Sequence, residues 1–289
     1  MSEVAVIGLG RMGSALAKAL ITSRRSVTVW NRTPGKAEAL EHLGASRAET
    51  PAAAIAASST LIVCLSDYAA TSMVLDDACA TDLLQGKTVV QLTSGTPKQA
   101  RQLEEWVANR GGSYLDGAIS AWPSQIGGPE ASIVIAGRES VFTSLEASLR
   151  LLAPNLTHVG NDISRAKVLF NAALAYFAGH WIGFSHGAAM CASEGMDVAE
   201  FGETIASLSP MFADDLRHMG RAIEGNRFAD PQSTIRSVGV DITRLVEIAD
   251  DLNINTAFPA FASDLFRNAT DAGYGAEEHC AIVKVIRAR

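Results

Sequence analysis

The sequence predicts an α/β protein in which a doubly wound parallel sheet is followed by a long inter-domain helix and an all-helical C-terminal domain. Three observations carry this reading. Short β-branched runs alternate with helical stretches from residue 3 to about 160, a glycine-rich turn joins the first run to the first helix, and beyond about residue 162 the β-branched runs stop. Continuous apolar runs are what strands covered on both faces look like, and alternation with helices implies parallel βαβ units.

The strands are expected in "VAVIGLG", "SVTVWN", "TLIVCLS", "KTVVQLTS", "SYLDGAIS" and "ASIVIAG", and the alanine-rich "ETPAAAIAAS" reads as a short surface helix. Helices are then expected at 163–192, 198–224, 235–252, 258–272 and 276–288. Gly195 punctuates the end of the first, and Pro259 suits the first turn of the fourth. Domains at 1–162 and 163–289 follow. A helix of about 29 residues is roughly 43 Å long, more than one small domain can cover. It is therefore expected to be shared with a second subunit.

Composition narrows the class of function. With 24 Lys+Arg against 31 Asp+Glu, a net charge of -7 and no basic run, the chain offers no footprint for nucleic acid. Cys64, Cys79, Cys191 and Cys280 form no C-x-x-C pair, and "MSEVAVIGLG" has no basic leader, so a cytoplasmic location is expected. The apolar segment 168–191 is interrupted by Asn171, His180 and His186, which favours burial by protein over a membrane span. The two histidines are six apart, with no metal-site spacing around them, and no G-x-S-x-G elbow is present.

The glycine turn carries the first chemistry. Gly8-x-Gly10-x-x-Gly13, with Leu9, Arg11 and Met12 between, lies where strand passes into helix, so backbone N–H groups and the helix N-terminus face a pyrophosphate. This is the Rossmann arrangement. At the end of the second strand, NAD enzymes place an acid on the ribose; here Asn31 stands there, followed by Arg32, Thr33 and Lys36. Arg offers a planar fork for a 2′-phosphate and Asn no opposing charge, which points to NADPH. Leu65 and Ser66 in "CLSDYAAT", and Ser94, Gly95 and Thr96 in "LTSGTP", should border the nicotinamide at the strand ends. Thr96 is also a good N-cap for the helix beginning near Pro97.

"GLGRMGSALAKAL", "VTVWNRTPGKAEAL", "VCLSDY", "LTSGTPKQAR", "YLDGAI", "VLFNAAL" and "DAGYGAEEHCAIVKVIR" together resemble the NADPH-dependent imine reductases, within the β-hydroxyacid dehydrogenase superfamily. The resemblance implies a Rossmann domain, a long inter-domain helix, a helical C-terminal domain of the 6-phosphogluconate dehydrogenase-like kind and a reciprocally swapped homodimer. Each active site would lie between one subunit's cofactor domain and the other's helices. β-Hydroxyacid dehydrogenases carry a general acid/base Lys four residues before an Asn, and Lys167 and Asn171 match that spacing. They also carry a carboxylate-gripping Ser-Gly-Gly turn and a later Lys-Asp pair. Here the turn reads "ISAWPSQIGG": Ser120 stays, Ala121, Trp122 and Pro123 replace the glycines, Pro123 has no N–H, and the later pair is Val240-Asp241. In imine reductases the position of Asn171 holds Asp, Tyr or Asn, and that of Lys167 is usually uncharged.

The two branches want different sites. An acid substrate needs cations or N–H groups for its carboxylate, and a base for its hydroxyl. An iminium ion wants an apolar, aromatic pocket, and an ammonium about 4 Å away would oppose it by about 4 kcal/mol at an effective dielectric near 20. Lys167 must then point away, pair with an acid or be neutral, and Asp241 is the candidate partner or iminium stabiliser. Trp122, Phe170, Tyr176, His180, Trp181 and Phe212 are candidates to line the pocket, and Asn171 to orient the substrate nitrogen or a water. The reading is an NADPH-dependent imine reductase. Its alternatives are a 3-hydroxyisobutyrate dehydrogenase-like enzyme using Lys167, and a non-enzymatic NADPH-binding protein on the same fold.

Overall fold

The computed structural model describes residues 2–78 and 83–287, so Cys79 and the last residue of the expected 276–288 helix lie outside the described residues. By their internal contacts the residues form two compact units, Met1–Ala175 and Tyr176–Arg289.

The first unit is built on eight strands: β1 (Val4–Ile7), β2 (Val27–Trp30), β3 (Ser46–Arg47), β4 (Thr60–Val63), β5 (Thr88–Gln91), β6 (Ser113–Ser120), β7 (Ser132–Gly137) and β8 (Asn155–His158). Their order in the sheet is β3-β2-β1-β4-β5-β6-β7-β8. The helices between them are α1 (Arg11–Thr22), α2 (Glu38–Glu41), α3 (Pro51–Ala57), α4 (Tyr68–Ala78), α5 (Pro97–Ala108) and α6 (Glu139–Leu149). Side chains alternate between two cores, as a strand's two-residue period requires: Val4, Val6, Val27, Val29 and Ile62 enter one, and Ala5, Ile7, Leu61 and Val63 the other. The strand order reverses between β1 and β4, and the turns after both strands open at that point.

The sheet departs from the all-parallel expectation at β7, which runs antiparallel to β6. Only residues 121–131, with a single 3₁₀ turn at Pro123–Gln125, join the two strands. That is too short for a crossover helix, so the chain returns in the opposite direction. β3 and β8, which lack the β-branched density of the other strands, escape the sequence reading. The alanine-rich α3 is a helix as expected, but Ala54 and Ile55 are fully buried, so it covers the sheet instead of lying on the surface.

The long helix α7 (Arg165–Ser193) begins in the first unit. Of its residues only Ala166 and Lys167 are buried in the chain, while Leu169, Tyr176, Phe177, Trp181 and Ile182 are 44–52 % exposed. The expectation of burial on all sides is thus not met by this chain alone. No helix among the described residues is long and apolar enough to cross a membrane.

The second unit continues with α8 (Val198–Ser207), α9 (Ser209–Glu224), α10 (Ile235–Asp251), α11 (Ala257–Ala269) and α12 (Val283–Arg287). Residues 198–224 are two helices, not one, because Pro210 has no N–H to continue the ladder past Leu208. α11 passes into a π turn (Thr270–Tyr274) that Gly273, at φ 91°, brings to an end. Much of the expected 276–288 helix is instead a 3₁₀ turn, His279–Ile282, before α12. Ala222, Phe228, Ile235, Ala269, Cys280 and Ala281 form the small core here.

Candidate active site

The turn after β1 opens a groove of about 1130 Å³ lined by Gly8, Gly10, Arg11, Met12 and Gly13 from one side and by Asn31, Arg32, Thr33 and Lys36 from the end of β2. Leu65 and Ser66, after β4, line it too. Gly8 has φ 98°, and a Cβ there would overlap the Cys64 carbonyl; a Cβ on Gly13 would overlap the Gly8 carbonyl. The turn therefore closes only with glycine at both places. Gly10 has nothing within 4 Å of its missing Cβ, which leaves the start of α1 open. α1 has no side-chain cap and no acid in its first turn, so its first N–H groups and dipole are available to an anion.

Asn31 lines this groove and also ties its two sides together. Its Oδ1 accepts from Leu9 N–H at 2.9 Å and its Nδ2 donates to the Thr33 carbonyl at 3.0 Å. The amide thus locks the glycine turn to the segment carrying Arg32 and Thr33, while Leu9 itself is buried. With cations and, among the described lining residues, no carboxylate at the end of β2, and with free N–H groups at the start of α1, the groove fits a dinucleotide bearing a 2′-phosphate.

A second cavity of about 250 Å³ adjoins these residues, lined by Met12, Cys64, Leu65, Ser94, Lys167 and Phe170 among others. Lys167 is 1 % exposed. Its Nζ lies 2.9 Å from Asp116 Oδ1 and donates to the Gly117 carbonyl at 2.6 Å. The other oxygen of Asp116 accepts from the hydroxyls of Tyr68 and, at 2.8 Å, Tyr114. Burial pushes the Lys167 ammonium below and the Asp116 carboxyl above their ordinary values; their mutual attraction opposes both shifts. Burial and the neighbouring Asp116 raise both phenols, which stay protonated donors.

One turn along α7, Asn171 Nδ2 donates to the Gly95 carbonyl at 2.9 Å and to the Lys167 carbonyl at 2.8 Å. Thr96 does not line either cavity; its hydroxyl accepts from Gln99 N–H at 3.2 Å in a capping box at α5. The acid paired with Lys167 is Asp116, in place of the expected Asp241, whose exposed carboxylate takes Arg244 at 2.5 Å. Of the candidate pocket residues Phe170 lines the Lys167 cavity, and Ser120, Trp122, Tyr176, His180, Trp181 and Phe212 do not. Ser120 and Trp122 are exposed on the first unit, and the other four belong to the second, where the Tyr176 and His180 rings stack at 6.3 Å. No group of three or more potential metal-ligating His, Cys, Asp or Glu occurs among the described residues.

Residues 3–160 match the NAD binding domain of 6-phosphogluconate dehydrogenase, and residues 162–288 the C-terminal domain of NADPH-dependent reductive aminase-like proteins. The chain is 30 % identical to an NADPH-dependent reductive aminase of Aspergillus oryzae, over 99 % of this chain and 97 % of that one. It also superposes on an imine reductase from Myxococcus stipitatus in complex with NADP+, with a TM-score of 0.93 and 32 % identity over 99 % of this chain and 100 % of that one. The chain belongs to the NADPH-dependent imine reductase family. A reductive aminase from Aspergillus terreus, solved with NADPH and ethyl levulinate, is similar at a TM-score of 0.94 and 32 % identity, covering 99 % of this chain and 100 % of that one.

In this imine reductase the groups that sequence reasoning missed are Asp116, Tyr68, Tyr114 and Cys64. Asp116 had a signal: an acid in the middle of an apolar strand needs a buried cation. Removing that cation with Lys167→Met should cost about 3–5 kcal/mol, the usual penalty for an orphaned buried charge, and adding Asp116→Asn should recover most of it. Urea denaturation of the two variants measures both. Cys64 lines both cavities, and burial raises its thiol to about 11. At pH 8 the Cys64 thiol is then held in its protonated form. Alkylation mapped by mass spectrometry should be slow there and accelerate steadily toward pH 11, since the thiolate is the reactive form.

Proposed function

We propose that this imine reductase acts on small imines as their iminium ions, with residues 1–162 holding NADPH and 163–289 supplying the substrate and dimer surfaces. The glycine turn and the start of α1 would hold the pyrophosphate, and Arg32, Thr33 and Lys36 the 2′-phosphate. Ser94, Leu65 and Met12 would flank the nicotinamide. When bound, the reduced cofactor supplies a hydride to the carbon of the C=N bond.

The observation that carries the substrate assignment is the ion pair of Lys167 and Asp116. A lysine held this way neither repels an iminium ion nor offers a cation to a carboxylate: its ammonium lies against Asp116 and donates to the Gly117 carbonyl. The turn after β6 supports the same reading. Trp122 N–H donates to Gln125 Oε1 at 2.7 Å and Pro123 has no N–H, so neither can grip a carboxylate. Asn171 has no titratable proton, so its task is orientation, and the proton arrives on the substrate. NADPH oxidation with 2-methyl-1-pyrroline should be readily measured, and NADP+ reduction with 3-hydroxyisobutyrate negligible. Turnover of the hydroxy acid alone would overturn the assignment.

The half-exposed apolar residues of α7 support a homodimer in which a second copy covers this helix. Cys64, Cys191 and Cys280 are free, in keeping with a cytoplasmic enzyme. In sedimentation equilibrium the protein should run as a dimer, and Trp181→Glu, which places a charge in that surface, should shift it toward monomer.

A further inference from the structure

The turn after β5 supplies Leu92, Thr93 and Ser94 to the wall of the Lys167 cavity, and it is fixed at three points. The Thr93 hydroxyl, buried, accepts from Leu65 N–H at 2.9 Å, which ties this turn to the one after β4. The Gly95 carbonyl accepts from Asn171 Nδ2 at 2.9 Å. The third point is steric: a Cβ on Gly95 would overlap the Cδ2 and Cε2 atoms of the Tyr68 ring. Gly95 lacks the positive φ that would by itself call for glycine, so close approach to this ring is what the position requires. Ser94 stands between the Thr93 and Gly95 anchors.

The ring is itself held. Tyr68 is buried at the first residue of α4, while its neighbours Ser66, Asp67, Ala69 and Ala70 line the cofactor groove. Its hydroxyl donates to Asp116, and the Lys167 ammonium lies 5.6 Å from the ring centre. An aliphatic side chain could fill much of this space but would have neither anchor. Tyr68 lines neither cavity, so it can act on the reaction only through the turn it supports.

From this geometry we infer that Tyr68 is a positioning residue for hydride transfer: its anchored ring, acting through Gly95, sets the place of Ser94 against the nicotinamide. The inference rests on the proposed seat of the nicotinamide beside Ser94, Leu65 and Met12, and it names what holds that seat in shape. A misplacement of about 1 Å at a reacting centre costs on the order of 100-fold in rate.

The test removes the ring and watches the nicotinamide. Two readouts serve: the rate of NADPH oxidation in a single turnover with saturating 2-methyl-1-pyrroline, and the fluorescence emission of NADPH bound without substrate. Tyr68→Leu should slow hydride transfer by about 10- to 100-fold and shift the emission, while Kd for NADPH changes by less than about threefold because the phosphate contacts lie elsewhere. Tyr68→Phe, which keeps the ring and loses only the hydroxyl, should restore most of the rate. Gly95→Ala strains the same contact from the other side and should also slow transfer; adding Tyr68→Leu, which makes room for the methyl group, should recover part of that loss. Transfer at the native rate in Tyr68→Leu or in Gly95→Ala, or a loss in Tyr68→Phe as large as in Tyr68→Leu, would overturn the inference. If Tyr68→Leu binds no NADPH, Gly95→Ala decides by the same two readouts. If the native enzyme binds NADPH and reduces no imine, the C=N assignment falls, and the emission then decides for Tyr68: an unchanged spectrum without the ring overturns its role.

Discussion

A lysine ammonium buried to 1 % exposure is the constraint around which the site is arranged. Moving such an ion out of water costs several kcal/mol, and an apolar residue of equal volume would often be no less stable. What the ion pair adds is position. Lys167 must meet Asp116 on β6, and Asp116 must meet Tyr68 on α4 and Tyr114 on its own strand. Sheet, α4 and the first turn of α7 are thereby fixed to one another inside the first unit. Satisfying Asp116 with a cation and two phenols keeps this polar cluster from being a defect in the core.

The groove follows a similar economy of means. Asn31 occupies the place where a carboxylate would face a ribose, and its amide is turned instead to Leu9 and Thr33. A carboxylate could accept from Leu9 N–H but could not donate to the Thr33 carbonyl. One neutral side chain therefore sets the shape of the glycine turn and leaves Arg32 and Lys36 without a competing charge at this position.

Much of the fold was legible because it follows from local pattern. Strands buried on both faces read as apolar runs, and the glycine turn announces itself by sterics that Gly8 and Gly13 display directly. What was not legible depends on distant parts of the chain. The reversal at β7 follows from a connection too short for a helix, a length that is visible in the sequence only once both strand ends are known. Lys167 and Asp116 lie far apart in sequence, and nothing local says that β6 passes beside the start of α7. Asp241 was the natural candidate because it resembled half of a known pair, yet its neighbour Arg244 already satisfies it. The apolar face of α7 was visible in the sequence, but what covers it is decided by surfaces outside the pattern of one chain.

The chemistry of the site is set as much by groups that are engaged as by groups that are free. The cation of Lys167 is cancelled by Asp116, the Trp122 N–H is taken by Gln125, and both Asn171 protons are held by carbonyls. A carboxylate entering such a site would give up its water for too few donors, and a charged group transferred without compensation loses several kcal/mol. A delocalised cation is far less demanding, because its charge is spread over carbon and nitrogen and apolar walls such as Met12, Leu65 and Phe170 can pack against it. A lysine four residues before an asparagine, which by spacing alone would signal an acid dehydrogenase, thus becomes part of a site without net charge once its carboxylate partner is in place.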